Sequence, residues 1–350
     1  MADLAARHAR LAERVEAELL RVLRSGRWVG GEEVAACETE LAARLGRRHG
    51  VGLNSGTDAL LLGLQAIGVG PGDEVLVPAL SFFATAGAVA RAGALPVVVD
   101  VLEERPLMDP ARAAERASSR TRAVVPVHLF GMPCPDPGLP IACIEDSAQA
   151  LGREPAPRLG LGTALSLYPT KTVGGAGDGG LFACDDDTLA ERVRRLASHG
   201  ARPDEAHLHD RIAGCVGTNS RLDALQAVLV RAQLQDLEVR VARRREIASL
   251  YDARLPSCCR AVPRDPEDPL HQYVLRCERR DALREHLLEQ GIESSVYYPR
   301  PLSLQPALQP QGACPIAESW CREILSLPCH ESLSPHDADR VAEALTSFRP

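Results

Sequence analysis

The sequence predicts an α/β protein: a mainly parallel sheet covered by helices on both faces, followed by a smaller α+β domain. Three observations support this. Between residues 49 and 186, short and almost continuously apolar runs alternate with helical stretches, as expected of strands buried on both faces by crossover helices. Beyond Gly217 a long helical pattern without Gly or Pro takes over, and after it strands and helices recur in α+β order. A chain of 350 residues can also form one large core and a second, smaller one. The boundary is set inside the long helical stretch, giving residues 1–235 and 236–350.

The elements follow in chain order. Residues 1–23 form an amphipathic helix, with Leu4, Leu11, Val15, Leu19 and Leu20 at helical spacing. "GGEEVAACETELAARLG", residues 30–46, is a second helix. "HGVGLNS" ends a strand, and "TDALLLGLQAIG" is a helix closed by Gly68. "EVLVP" is a strand and "SFFATAGAVARAG" a helix closed by Gly93. Strands follow at "ALPVVVDV", "RAVVPVHL", "LPIACIED", "ALSLY" and "GLFACDD". The stretch from Ser220 to Leu255 reads as one long connecting helix. The second domain then has strand "HQYVLRC", helix "RDALREHLLEQG", strand "IESSVYY", a Pro-rich loop and helix "SPHDADRVAEALTSF".

Composition narrows the function. The net charge of −7 gives no electrostatic reason to expect nucleic acid or an anionic membrane as partner. No stretch is apolar enough to span a bilayer or serve as a signal peptide, so a cytoplasmic protein is expected. The eleven cysteines are scattered without a C-x-x-C pair, and Cys258 and Cys259 are adjacent. They read as reduced thiols, and "HLHD", residues 207–210, as a polar loop; no metal site is expected.

One residue stands out. Of the 40 Lys and Arg residues, Lys171 is the sole lysine, in "SLYPTKTVGGAGDGG", residues 166–180. Codon bias explains the arginines but not the placing of the exception in a Gly-rich loop. Guanidinium stays charged, whereas an amine can lose its proton and act as nucleophile or base. Lys171 therefore suggests Schiff-base chemistry, for which pyridoxal phosphate is the usual partner. The glycines fit G-x-G-x-x-G but lead into a strand, so a dinucleotide fingerprint does not apply. In "LNSGTDAL", residues 53–60, a strand runs into Ser55-Gly56-Thr57 and then a helix. This suits a bound phosphate or ordinary N-capping. In "IEDSAQALG", residues 144–152, Glu145 and Asp146 end an apolar strand, where ligands bind in open parallel sheets. One carboxylate points inward and the other outward. Asp146 suits a pyridine nitrogen or a helix cap.

These three segments, in this order, resemble the DegT/DnrJ/StrS sugar aminotransferases, of the type I aspartate aminotransferase fold. The similarity runs over nearly the whole chain, including residues 53–101, "GTNSRLDALQAVLVRAQL", "HQYVLR", "VYYPRPLSLQP" and "LSLPCHESLS". The resemblance implies a large domain with a mainly parallel seven-stranded sheet sandwiched by helices. It implies pyridoxal 5'-phosphate bound to Lys171, with Asp146 pairing with the pyridine nitrogen. Phe82 would lie against the ring and Gln149 near its phenolic oxygen. Gly56, Thr57 and Ser166 would hold the phosphate. Asn219 would reach the same phosphate from a partner subunit, making a homodimer with shared sites. Arg221, Tyr297 and Tyr298 would lie around the substrate. The implied reaction moves an amino group from glutamate to a keto-deoxysugar on a nucleotide diphosphate, in amino-sugar biosynthesis. Relatives that dehydrate sugars carry His in place of the lysine, so Lys171 argues for amino transfer. The segment "YYPRPLSLQP" leans toward amination at C3 rather than C4. Alternatives are a dehydratase or aromatising enzyme on the same scaffold, or a non-catalytic regulatory relative. Two departures bear on substrate: the crossover at residues 130–141 is short and Pro-rich, and Ser303 stands where many relatives have His.

Overall fold

The structure, a computed structural model, describes residues 3–201 and 215–349. The "HLHD" segment lies outside them. Two helices open the chain, α1 (Leu4–Ser25) and α2 (Glu32–Arg44). Then come β1 (His49–Leu53), α3 (Gly56–Ala66), β2 (Glu74–Pro78), α4 (Ala84–Arg91), β3 (Leu95–Val99), α5 (Pro110–Arg116) and β4 (Thr121–Val124). β5 (Ala142–Asp146), β6 (Gly162–Ser166), β7 (Gly180–Cys184) and α6 (Asp187–Ala197) complete the first half. The seven strands form one sheet in the order β1-β7-β6-β5-β4-β2-β3. β7 alone runs antiparallel to its neighbours; the other strands share one direction. Its central strands are buried on both sides, as continuous apolar runs require. One face packs on α3 and α4, and the other on α2 and α7 (Ala224–Leu234).

The remainder comprises α8 (Leu237–Asp252), β8 (Cys259–Ala261), β9 (Tyr273–Cys277), α9 (Arg280–Glu289), α10 (Pro315–Glu323), β10 (Ile324–Leu327) and α11 (Pro335–Ser347). A three-stranded antiparallel sheet, β10-β9-β8, packs its own core against α8, α9 and α11.

The structure corrects the sequence reading in two places. The long connecting helix is two helices, broken at Gln235 and Asp236. Arg14 of α1 donates to Gln235 Oε1 at 3.4 Å and to Asp236 Oδ1 at 3.2 Å, tying down the break. α7 then packs on α1 and α2, while α8 packs on α11. "IESSVYY" is not a strand. It meets β10 only at Ser295 and Ser326, whose N–H and C=O groups exchange bonds of 3.0 and 2.7 Å. The chain then leaves the sheet, and Val296, Tyr297 and Tyr298 line a cavity. The β4–β5 crossover holds one short 3₁₀ turn, Leu129–Gly131, and no α-helix, as its proline content suggested.

Candidate functional site

The carboxyl ends of the parallel strands open onto a cavity of about 620 Å³. Lys171, Asp146, Gly56, Thr57, Phe82, Gln149, Ser166, Tyr297 and Tyr298 all line it. Asn219 and Arg221 do not; both are exposed on the surface of the chain.

Strand alternation sorts the two carboxylates of β5. Glu145 points away from the cavity and is fully buried. Arg47 donates to it at 2.6 Å, and His128 Nε2 lies 3.1 Å from it. His128 Nδ1 accepts the Cys134 N–H at 2.9 Å, so Nε2 carries the proton toward Glu145. Asp146 points into the cavity. Its oxygens accept from Thr85 Oγ1 at 2.9 Å and from the Ala148 N–H at 3.1 Å. The Ser81 hydroxyl lies 2.8 Å from that of Thr85, whose proton is already given to the carboxylate, so Ser81 donates. Burial pushes the Asp146 carboxyl above its usual range, against its hydrogen bonds and the nearby charge of Lys171. Among the described residues it makes no salt bridge, so the site has a place for a cationic partner.

Lys171 lies in a loop clamped by side chains from distant helices. Its amine faces the cavity, where desolvation by the surrounding protein lowers its proton affinity; the charge of Asp146 opposes the shift. Arg7 of α1 donates to the carbonyls of Pro169 and Lys171 at 2.8 and 3.0 Å. Arg240 of α8 donates to Thr172 O at 3.3 Å and Gln233 Oε1 at 2.9 Å. Glu331 joins the clamp, accepting from Arg7 Nε and Arg244 Nη2, each at 2.9 Å. Burial opposes ionisation of Glu331, but the charges of Arg244 and Arg7, a backbone hydrogen bond and Arg240 together hold its carboxyl at about 2. The loop glycines serve packing: a Cβ on Gly174 would stand 2.4 Å from Tyr168 O, and one on Gly180 2.2 Å from the Ser55 carbonyl carbon.

The phosphate and capping readings of residues 55–57 coexist. Ser55 Oγ accepts the Asp58 N–H at 3.1 Å and so caps α3. The next two N–H groups, of Gly56 and Thr57, begin the helix without an intrahelical acceptor and carry its positive dipole end. A Cβ on Gly56 would lie 2.8 Å from Ser166 Cβ, so only glycine allows β6 to come this close. Around the rim, Gln149 Oε1 accepts the Phe130 N–H at 2.6 Å, leaving its amide nitrogen 3.5 Å from the Tyr298 hydroxyl. The Phe82 and Tyr298 rings lie 6.2 Å apart, and Phe82 is 60% exposed. Ser220 accepts the Asn54 N–H at 3.3 Å and donates to Asn54 Oδ1 at 3.0 Å, setting the exposed Asn219–Arg221 segment beside the β1–α3 turn.

Several site residues escaped the sequence reading. Thr85 had only its position four residues after Ser81 to mark it. His271 also lines the cavity, with its Nδ1 unpartnered. Its imidazole is held well below its usual range by burial, then by Lys171, Arg244 and Arg7, so it is neutral. Arg7 and Glu331 lie far along the chain from Lys171, and no local pattern marks them.

A profile of the DegT/DnrJ/EryC1/StrS aminotransferases matches residues 9–346. A dTDP-3-amino-3,4,6-trideoxy-alpha-D-glucose transaminase of Streptomyces venezuelae is 40% identical over 365 aligned positions, covering 99% of this chain and 95% of that protein. Among solved structures, S. venezuelae DesV, in complex with a ketimine intermediate, superposes with a TM-score of 0.91 at 38% identity, covering 98% of this chain and 96% of that one. NtdA from Bacillus subtilis, with bound cofactor PMP, gives a TM-score of 0.88 at 27% identity, covering 95% and 81%.

Proposed function

This chain belongs to the DegT/DnrJ/EryC1/StrS aminotransferase family, and from that premise we propose that it moves the amino group of glutamate to a keto-deoxysugar carried on a nucleotide diphosphate, with pyridoxal 5'-phosphate held at Lys171. The observation that carries this reading is the pairing, in one cavity, of the chain's sole lysine amine with a buried carboxylate that makes no salt bridge among the described residues.

The residues present fit the cofactor. Lys171 would hold its aldehyde carbon, and Asp146 its protonated ring nitrogen. The N–H groups of Gly56 and Thr57, with the Ser166 hydroxyl, would hold the phosphate. Phe82 would cover one face of the ring, and the amide nitrogen of Gln149 would reach the phenolic oxygen. When bound, pyridoxal phosphate supplies an electron sink and a carrier for the amino group. The chain's own contribution is proton handling and orientation. Desolvation lowers the proton affinity of Lys171 Nζ, and the neutral form of an amine can bind a carbonyl carbon or accept a proton from the substrate carbon. Arg7 and Arg240 fix the backbone on both sides of that lysine, which limits where Nζ can move. Thr85 and the Ala148 N–H orient the Asp146 carboxylate. Tyr297 and Tyr298 line the cavity and would limit the water beside the proton transfer.

The S. venezuelae relative makes a 3-amino sugar, which favours C3 as the position aminated here. A partner subunit would supply Asn219 to the phosphate, so the working unit is a homodimer. The test is mass spectrometry of products from purified protein with glutamate and a panel of 3-keto and 4-keto nucleotide sugars. An amino-sugar nucleotide formed together with 2-oxoglutarate is expected, and Lys171→Arg should form none while keeping its far-ultraviolet circular dichroism. Loss of water from the sugar without gain of nitrogen would overturn the proposal in favour of a dehydratase. Absence of both product and cofactor absorbance would overturn it in favour of a non-catalytic role.

A further inference from the structure

The small sheet gathers three thiols that are scattered in the sequence. Cys259 and Cys277 are direct partners in the antiparallel β8–β9 pair, and directly opposed side chains share one face. Cys258 precedes β8, in a turn closed by the Cys259 N–H donating to Pro256 O at 2.9 Å. Outside the strand, it escapes the alternation that would send it to the opposite face. Its Sγ lies 3.9 Å from that of Cys259 and 4.0 Å from that of Cys277. All three sulfurs fall within 4.8 Å of one another. None is in a disulfide; Cys277 is buried, and Cys258 and Cys259 are half-buried.

Zinc takes thiolates at about 2.3 Å in a tetrahedral shell, which sets neighbouring sulfurs roughly 3.8 Å apart. The three sulfurs therefore already approximate one face of such a tetrahedron. Two of the three residues reach solvent, so a water molecule can complete the shell. None of the three lines the Lys171 cavity, so the group has no part in the amino transfer.

We propose that Cys258, Cys259 and Cys277 bind one zinc ion as thiolates, with water as fourth ligand. Binding exchanges three S–H bonds for three Zn–S bonds and releases three protons to solvent; nothing is oxidised or reduced. The ion clips the three-residue strand β8 and its preceding turn to β9, where hydrogen bonds are few.

The test uses the full chain, reduced and saturated with pyridoxal phosphate, titrated with zinc(II) against a chromophoric chelator. One equivalent per chain should bind, and X-ray absorption should count three sulfur neighbours at about 2.3 Å. Cys258→Ser should weaken binding at least about tenfold, and Cys259→Ala should act likewise. Cys143→Ser, a half-buried thiol elsewhere, should change nothing. Circular dichroism confirms that each variant is folded. Failure to take up stoichiometric zinc, a shell of nitrogen and oxygen alone, or an affinity unchanged by both Cys258→Ser and Cys259→Ala would overturn the proposal.

Discussion

At the scale of single residues, Glu145 and Asp146 show how neighbours of the same chemistry take unrelated tasks. Strand alternation turns one toward Arg47 and His128 and the other toward Lys171. Glu145 is matched by an arginine and serves the packing of β5. Asp146 is buried with two side-chain hydrogen bonds but, among the described residues, no salt bridge, a costly state unless a cation arrives. Asp146→Asn should therefore still take up pyridoxal phosphate, because Lys171, Gly56 and Thr57 are untouched, but should lose most of the rate. The loss should be about a thousandfold or more, roughly 4 kcal/mol in the barrier. Cofactor absorbance and single-turnover rate, measured on the same sample, separate the two effects. A variant within tenfold of wild type would make Asp146 only an orienting group for Thr85 and Ala148.

At the scale of elements, the lysine loop has little regular structure, and its rigidity is borrowed. Arg7 on α1, Gln233 on α7, and Arg240 and Arg244 on α8 converge on it and on Glu331. The cluster sits largely out of water, where an unmatched charge is expensive. Glu331→Gln leaves three arginines without their carboxylate and should cost roughly 3 kcal/mol at pH 7. Because the folded Glu331 carboxyl titrates near 2 rather than 4.5, its contribution is complete above about pH 4.5 and disappears as pH falls toward 2. Urea midpoints of wild type and variant should therefore differ at pH 7 and converge in acid. A constant difference across that range would mean that the loss comes from packing and not from charge.

At the scale of the whole molecule, Asn219 and Arg221 are the residues that a single chain leaves outside the cavity. If Asn219 serves the cofactor of a second subunit, a Lys171→Ala chain and an Asn219→Ala chain carry lesions in different halves of a shared site. In a mixed dimer one site then carries both lesions and the other carries none. Random pairing of the two inactive parents should recover up to about one quarter of wild-type activity. The measurement is specific activity after co-expression at limiting pyridoxal phosphate, with mixed dimers confirmed by mass. Activity no higher than the parental average would place Asn219 outside any shared site.

The α/β class, the order of the seven strands along the chain, and the three segments that carry Lys171, Asp146 and Gly56 were all legible in the sequence. Each depends on local rules: apolar runs for buried strands, a helix start after a strand, and one lysine among arginines. The break between α7 and α8 was not legible, because no Gly or Pro marks it and Arg14, more than 200 positions away, secures it. Nor was the path of residues 296–298, whose side chains read as a strand but turn into the cavity. The clamp of Arg7, Arg240, Arg244 and Glu331 and the triad of Cys258, Cys259 and Cys277 were equally invisible. Local pattern reports which face a residue presents, since that depends on its neighbours in the chain. Which distant group meets that face depends on how the elements pack, and the buried charges and clustered thiols of this protein are set at that level.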